Sequence, residues 1–251
     1  MSSPLFDFAF FPDWDGMVNF LSKMSQPENW DYRYTSTTKD LPILKSYLHY
    51  TFSRVQEENK IVYGDNDDVA CFNTGLVTPN YEEIFGFFVK NSRGMQPYVF
   101  NGFLKESDKK LIKFGKLPDL ASYFTKTSDL VFDTKKDLRY KVDHIIDENK
   151  NRFPAPFNSM DNYQLKISID GAIKHALRRV ERNYRTAVPQ FYRGNIQLLL
   201  PLCMANRARA DLALAVKDEG EVYIAYTCLT LDMAYNNARL IAKPDSDWLE
   251  P

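Results

Sequence analysis

Hydrophobic residues change their spacing several times along the chain, and each change predicts a different kind of element. Intervals of three and four residues over Leu41–Asn59 and Leu165–Tyr184 predict two amphipathic helices, of which the second has the clearer apolar stripe. Shorter helices are predicted at Asp15–Met24, Leu117–Phe124 and Leu138–Asn149, and a last one from Thr230 to just before Lys243.

Runs rich in β-branched and aromatic residues predict strands. They are Val69–Leu76, Ile84–Lys90, Tyr98–Leu104, Gln190–Pro201, Asp211–Lys217 and Glu221–Leu229. Because helices and strands come in blocks rather than in βαβ alternation, the pattern predicts one compact α+β domain with mostly antiparallel sheet covered by helices. We place this domain over residues 39–251, and expect residues 1–38, a mixture of aromatic and acidic side chains, to pack on it.

Charge changes this picture in one place. The 251 residues carry 32 bases and 33 acids, so the chain as a whole is no polycation. Between Gln164 and Arg209, however, nine bases face two acids. Such local asymmetry is typical of an anion-binding surface.

Three cysteines, Cys71, Cys203 and Cys228, lie in apolar or strand-like runs and form no C-x-x-C pair. An odd number without regular spacing predicts free, buried thiols and a cytoplasmic location. The N-terminus lacks the pattern of a signal peptide, and the longest apolar stretch, Ile196–Ala205, is too short to span a bilayer. We therefore expect no membrane partner.

Standard catalytic motifs are absent from the sequence. No two glycines form G-x-G, which excludes the dinucleotide fingerprint and the P-loop, and there is no G-x-S-x-G. His49, His144 and His175 are far apart and have no H-E-x-x-H context, so no metal site is predicted. No motif indicates a particular cofactor.

The predicted helix at 165–184 carries a row of bases opposite its apolar stripe. Lys174, Arg178 and Arg182 follow at intervals of four, and Arg185 comes seven residues after Arg178. Guanidinium groups bind phosphate through paired hydrogen bonds, so this row is a candidate ligand-binding surface. The alternative is a solvated helix face on which Glu181 pairs with one of the arginines.

The last predicted helix places Asp232, Tyr235, Asn236 and Arg239 on one face, at i, i+3, i+4 and i+7. As a site, Asp232 would be general base or metal ligand, Arg239 an anion clamp, and the other two would orient the ligand. As a structural feature, the same four groups would form a buried polar network that docks the helix on the sheet. The spacing fits both interpretations.

Two further segments combine polar and aromatic residues in unusual places. Asn73 and Gly75 interrupt a predicted strand, which indicates either a ligand-binding amide or, as we favour, a β-bulge. Tyr184–Tyr192 interleaves aromatics with Arg and Gln, as a base-stacking surface would, although a corner packed by its own aromatics explains it better.

Several long sequence segments of unusual composition resemble a bacterial domain-of-unknown-function family over about Leu41–Leu249. They are YLHYTFSRVQEENKI (Tyr47–Ile61), FNTGL (Phe72–Leu76), HIIDENKNRFP (His144–Pro154), RVERNYRTAVPQFY (Arg179–Tyr192), IQLLLPL (Ile196–Leu202) and LTLDMAYNNARLIAKPDSDWL (Leu229–Leu249). Members of that family are sometimes associated with cold-shock-type RNA-binding modules. The resemblance therefore implies a function that involves RNA or nucleotides, and it assigns no catalytic residue.

Together these features predict a domain that binds a phosphorylated ligand, RNA or a nucleotide. An enzymatic step of phosphoester chemistry, with Asp232 as the catalytic group, is one extension of this hypothesis. The competing class is a non-enzymatic protein-interaction or scaffold domain, in which the polar helix faces serve stability or oligomerisation.

Overall fold

The structure, a computed structural model, describes residues 3–92, 94–246 and 248–250. Its contacts divide the chain into two compact units, Met1–Tyr32 with Thr37–Ser122 and Arg33–Ser36 with Tyr123–Pro251. The short segment Arg33–Ser36 thus belongs to the second unit, although the chain on both sides of it belongs to the first. The predicted division between residues 38 and 39 stays a prediction.

The first unit contains a five-stranded sheet in the order β1-β5-β4-β3-β2. Its elements are α1 (Pro4–Phe8), β1 (Ala9–Phe10), α2 (Trp14–Met24), α3 (Pro42–Glu57), β2 (Val62–Tyr63), β3 (Val69–Val77), β4 (Glu83–Lys90) and β5 (Tyr98–Lys105). Only the short β1 pairs in parallel, with β5, and the other neighbours are antiparallel.

Aromatic rings hold the first unit together. Phe52 of α3 lies 5.2 Å, centroid to centroid, from Phe72 of β3, and Phe88 of β4 lies 5.3 Å from Phe100 of β5. All four side chains are buried. Edge-to-face pairs of this kind add about 0.5–1.5 kcal/mol each beyond their buried area, which explains the high aromatic content of this half of the chain.

The second unit contains another five-stranded sheet, in the order β6-β10-β9-β8-β7. Its elements are β6 (Asp137–Tyr140), α4 (Val142–Asn149), α5 (Asn162–Arg182), β7 (Val188–Tyr192), β8 (Asn195–Leu202), β9 (Leu212–Asp218), β10 (Val222–Leu229) and α6 (Leu231–Arg239). Only β6 pairs in parallel, with β10. The predicted α+β class with mostly antiparallel sheet is confirmed.

The long helix α5 packs on the second sheet through the predicted apolar stripe. Ile169, Ile173 and Val180 are buried in one core cluster with strand residues such as Leu200 and Leu214, and Leu177 packs against this cluster from a partly exposed position. Asp161 caps the helix by accepting a hydrogen bond from the backbone N–H of Tyr163. The helical period in the sequence therefore located both the element and its buried face.

Three predicted elements are wrong in type or extent. Residues 117–124 form no helix, and the carbonyls of Leu120 and Ser122 instead accept hydrogen bonds from side chains of the first unit. The first residues of the predicted helix at 138–149 belong instead to strand β6. Their pairing with β10 overrides the local helical pattern. The predicted strand at 190–201 is a hairpin, turned at Arg193 and Gly194, which both have positive φ.

The three thiols are free, as predicted, but they are not equally buried. Burial raises the pKa of Cys71 and of Cys228 to about 12. Cys203 is partly exposed, so the prediction of burial is wrong for this residue. Burial also raises the pKa of Cys203, whereas the neighbouring Arg179 guanidinium acts in the opposite direction.

This difference predicts selective thiol chemistry. Under native conditions at mildly alkaline pH, a maleimide should label Cys203 first, because reaction requires both access and thiolate. Cys71 and Cys228 should react only as the protein unfolds. Peptide mapping of the labelled protein measures the order, and Cys203→Ser should remove the early label alone. Equal early labelling of all three cysteines would contradict the prediction.

Candidate functional site: an arginine-lined cleft

A cleft of about 510 Å³ opens at one end of the second sheet. In this antiparallel arrangement the last residue of β8, Leu202, pairs with the first residue of β9, Leu212, and Leu229 at the end of β10 pairs with Ala213. The chain leaving these strands, together with the start of α6, surrounds the cleft. Its polar and aromatic lining comprises Tyr34, Thr35, Arg152, Asn206, Arg209, Asp211 and Thr230.

Arg152 is the most firmly held of these side chains. It follows α4 in a short 3₁₀ turn, and its Nη1 donates hydrogen bonds to Asn149 Oδ1, to Thr227 Oγ1 at 3.0 Å and to the backbone carbonyl of Cys228 at 2.7 Å. Within the described part of the chain its Nε and Nη2 make no hydrogen bond and no acid pairs with it. Arg152 therefore presents a fixed positive charge and unused N–H groups at the cleft.

Buried polar groups keep Arg152 in place. Asn149, only 1% exposed, accepts a hydrogen bond from Thr227 Oγ1 at 2.8 Å and donates through Nδ2 to the carbonyl of Ile145 at 3.0 Å. An irregularity in the β9–β10 pairing lies between Ala225 and Thr227. The network thus connects α4, β10 and the guanidinium, and it orients Arg152 through bonds that a ligand need not supply.

The second guanidinium, that of Arg209, lies over an aromatic ring. Its Cζ is 5.3 Å from the centroid of Tyr34, and the Cζ of Arg33 is 5.8 Å from the same centroid. Arg209 is exposed and, among the described residues, forms no ion pair. Cation–π contacts of this kind contribute about 0.5–1 kcal/mol at exposed sites and leave the guanidinium N–H groups open to an anion.

Asp232 holds the Tyr34 segment in position. Its carboxylate is 2% exposed and accepts hydrogen bonds from the backbone N–H of Arg33 at 3.1 Å and of Tyr34 at 3.2 Å. These contacts favour the structural interpretation of the polar face on α6. Tyr235 is buried, Asn236 and Arg239 are partly buried, and none of the four side chains lines the cleft.

A second carboxylate shapes the loop that carries Arg209. Asp211 Oδ2 accepts hydrogen bonds from the backbone N–H of Met204 at 2.7 Å and of Ala205 at 2.9 Å, and Asn206 Oδ1 accepts one from the N–H of Ala208 at 2.8 Å. These bonds fold residues 203–211 into a compact turn between β8 and β9. The turn places Asn206 and Arg209 on the wall of the cleft.

The start of α6 adds to the positive potential of the cleft. Thr230 lines the cleft and caps the helix, its hydroxyl accepting a hydrogen bond from the N–H of Met233 at 3.3 Å. Unpaired backbone N–H groups give a helix N-terminus a partial positive charge that favours anions. The helix contributes here alongside the two arginines.

The predicted basic row lies outside the cleft but at the same end of the sheet. Lys174, Arg178 and Arg182 are exposed and pair with no described acid, whereas Arg185 lies 3.5 Å from an oxygen of Asp245. Arg179 Nη1 donates a hydrogen bond to Cys203 Sγ at 3.3 Å. This bond connects the C-terminal turn of α5 with the start of the loop that carries Arg209.

Asn73, the remaining predicted ligand-binding residue, is buried in the first unit. Its Nδ2 donates to the carbonyl of Pro118 at 3.3 Å, and its Oδ1 accepts from the N–H of Gly75 at 2.9 Å. The β3–β4 register shifts between Asn73 and Val77, and Gly75 has a φ of 73°. These contacts favour the β-bulge interpretation.

Sequence reasoning did not single out Arg152, Arg209 or Tyr34. Arg152 stands in the run His144–Pro154 that carries the family resemblance, and Arg209 is one of the nine bases between Gln164 and Arg209. Two arginines within the short N-R-A-R-A stretch between predicted strands were a usable signal for a cationic loop. Nothing in the sequence indicates that Tyr34 meets this loop.

Fold and cleft together define an α+β protein whose cationic, aromatic-walled cleft lies at the end of a mixed sheet. The family model described as "Domain of unknown function (DUF3825)" matches residues 21–248, and the chain belongs to this family. The predicted membership of a domain-of-unknown-function family is thus confirmed. No curated protein and no solved structure matches the chain.

Among the residues that the structure describes, no three His, Cys, Asp or Glu side chains are grouped so that they could hold a metal ion. None of the described helices is both long enough and apolar enough to cross a bilayer.

Proposed function

We propose that the second unit binds a nucleotide, free or as part of RNA, in the arginine-lined cleft. The observation that carries this proposal is the presence of two guanidinium groups, of Arg152 and Arg209, in one cavity where no described acid neutralises either. Arginine forms paired, charge-assisted hydrogen bonds with phosphate oxygens, which are stronger than those between neutral groups. Phosphate is therefore the group that this charge distribution favours.

The aromatic wall distinguishes a nucleotide from a bare phosphate. Tyr34, whose ring lies under the Arg209 guanidinium, gives the cleft an aromatic surface, and proteins bind unstacked bases on aromatic rings and on guanidinium planes. The cavity of about 510 Å³ lies within the ~300–1,000 Å³ of small-molecule sites. Size, charge and the planar wall together support one nucleotide unit as the occupant.

Binding rather than turnover is the function that the cleft supports best. Among the described lining residues the only carboxylate is that of Asp211, and its Oδ2 already accepts two backbone hydrogen bonds. Asp232, the predicted general base, is occupied with the backbone of the Tyr34 segment. A phosphoester reaction in this cleft stays a prediction.

The setting of this function is also part of the proposal. We infer a bacterial, cytoplasmic protein that acts on RNA or nucleotides, and association of the family with cold-shock-type RNA-binding modules would agree with it. Three free thiols support a reducing compartment.

Arg209→Ala tests the proposal. It should lower the affinity for a labelled single-stranded RNA about tenfold, because a charge-assisted hydrogen bond contributes about 1.5–3 kcal/mol. Losing one phosphate contact should also reduce the slope of log affinity against log salt by about 0.7. Fluorescence anisotropy over a range of salt concentrations measures both quantities.

Arg193→Ala is the matched control for this experiment. Arg193 also lies over a tyrosine, 5.2 Å from the centroid of Tyr192, but in the hairpin at the opposite end of the sheet. The Arg193→Ala variant should bind RNA with the same affinity as the parent protein. If the parent binds neither RNA nor mononucleotides, or if the two variants behave alike, the proposed function is wrong and the scaffold alternative gains support.

A further inference from the structure

A second, smaller cavity of about 220 Å³ lies in the second unit and shares no lining residue with the cleft. Its walls come from Val188 at the start of β7, from Ala238 in the last turn of α6, from Ile241 just after this helix, and from Val131. These walls are apolar. The charged side chains of the lining belong to Lys243 and to the ion pair of Arg185 with Asp245, and Tyr184, 62% exposed, is the aromatic one.

Residues of the helix α6 line both cavities. Leu231 at its start lines the cleft, and Ala238, seven residues later, lines the second cavity. At 1.5 Å per residue this separation is about 10 Å. The strands give a similar value, because Val188 pairs with Leu199, which lies three residues before the end of β8.

Further arginines lie close to each of the two cavities. Arg179 bonds to Cys203 at the base of the Arg209 loop, Arg178 and Arg182 are exposed beside it on α5, and Arg185 lines the second cavity. An RNA strand that follows this surface would place its phosphates against the arginines. Even a stacked strand advances ~3.4 Å per nucleotide, so about 10 Å is bridged by at most three nucleotides and by fewer in an unstacked strand.

We infer that the second cavity takes an unstacked base of the same RNA strand whose nucleotide occupies the cleft. The ligand is then single-stranded RNA of several nucleotides rather than a mononucleotide or a duplex, in which the bases are stacked and paired. An apolar slot of this size accepts one ring system, and Tyr184 offers a stacking surface. Lys243 on the rim, which pairs with no described acid, complements a flanking phosphate. This inference rests on the proposed function.

Ala242→Trp tests the inference. Ala242 lines the second cavity and is exposed, so a tryptophan there can fill the cavity without disturbing the core. The variant should bind a hexanucleotide about tenfold more weakly than the parent, because stacking of one base on an aromatic ring contributes ~1–3 kcal/mol. Its affinity for a nucleoside monophosphate should not change, since that ligand uses the cleft alone.

Ile167→Trp is the matched control, since it adds the same ring at an exposed position near the N-terminus of α5, away from the second cavity. Lys243→Ala is a second test, which leaves the cavity open and removes one rim charge, and it should weaken hexanucleotide binding while sparing the monophosphate. Calorimetry of the three variants and the parent with both ligands measures the eight affinities.

The outcomes separate this inference from the proposed function. If the parent binds the hexanucleotide no better than the monophosphate, or if Ala242→Trp and Lys243→Ala both bind the hexanucleotide like the parent, the second cavity is no RNA subsite and the cleft proposal stands. Capture of a peptide by this cavity, without any effect on RNA, would likewise overturn it. If the parent binds neither ligand, both proposals fail.

Discussion

Replacing Arg152 by methionine should lower the affinity for single-stranded RNA about a hundredfold. Arg152 faces the cleft with N–H groups that no described residue uses, and its removal takes away both the charge and the paired hydrogen bonds to phosphate. Charge-assisted bonds contribute about 1.5–3 kcal/mol each, and 1.4 kcal/mol is a factor of ten in affinity. Anisotropy titrations at fixed salt measure the loss.

The same side chain also supports the fold, so the experiment needs a measure of folding. Arg152→Met leaves the carbonyl of Cys228 without its donor, and we expect the free energy of unfolding to fall by about 1–3 kcal/mol. Titrations well below the melting temperature, with the folded fraction followed by circular dichroism, separate the two effects.

A conservative variant sharpens the test. Arg152→Lys keeps the charge but cannot form paired bonds, so it should recover only part of the affinity. Arg139→Lys, at an exposed position on β6, is the control and should bind like the parent. RNA binding of Arg152→Met at the parent's affinity would show that the cleft is not the binding site.

Replacing Asp232 by asparagine should lower the free energy of unfolding by about 2 kcal/mol. The buried carboxylate accepts hydrogen bonds from the backbone N–H of both Arg33 and Tyr34, and hydrogen bonds to a charged group contribute about 1.5–3 kcal/mol. Asparagine keeps one acceptor oxygen, loses the charge and places an NH₂ group against backbone donors. Thermal and urea unfolding measure the change.

RNA binding tells the two interpretations of Asp232 apart. If the residue is structural, as its contacts favour, RNA binding should fall only in step with the folded fraction and with any displacement of Tyr34. Asp137→Asn, at the exposed start of β6, is the control and should melt like the parent. An unchanged melting temperature together with lost binding would instead restore Asp232 as a site residue.

The polar face on α6 illustrates where sequence reasoning stopped. The spacing of Asp232, Tyr235, Asn236 and Arg239 correctly placed them on one helix, because α-helical geometry is local. Whether that face met ligand or protein depended on Arg33 and Tyr34, some two hundred residues earlier in the chain. Both interpretations fitted the sequence for this reason.

By itself the sequence determined the elements whose apolar pattern is strong. The buried stripe of α5 and the strands β3, β4, β5, β9 and β10 followed from hydrophobic period alone, because burial of one face dominates their energetics. The α+β class and the local excess of positive charge were equally evident. These are properties of neighbouring residues.

Only the tertiary structure decided which charged groups meet. Arg152 follows α4, Arg209 lies in the β8–β9 loop, and Tyr34 comes from a segment flanked by the first unit, yet all three line one cleft. The parallel pairing of β6 with β10 and the buried bonds from Asn149 and Asp232 bring them there. Such contacts join residues that are distant in the chain, so the hydrophobic periodicity of neighbouring residues does not indicate them.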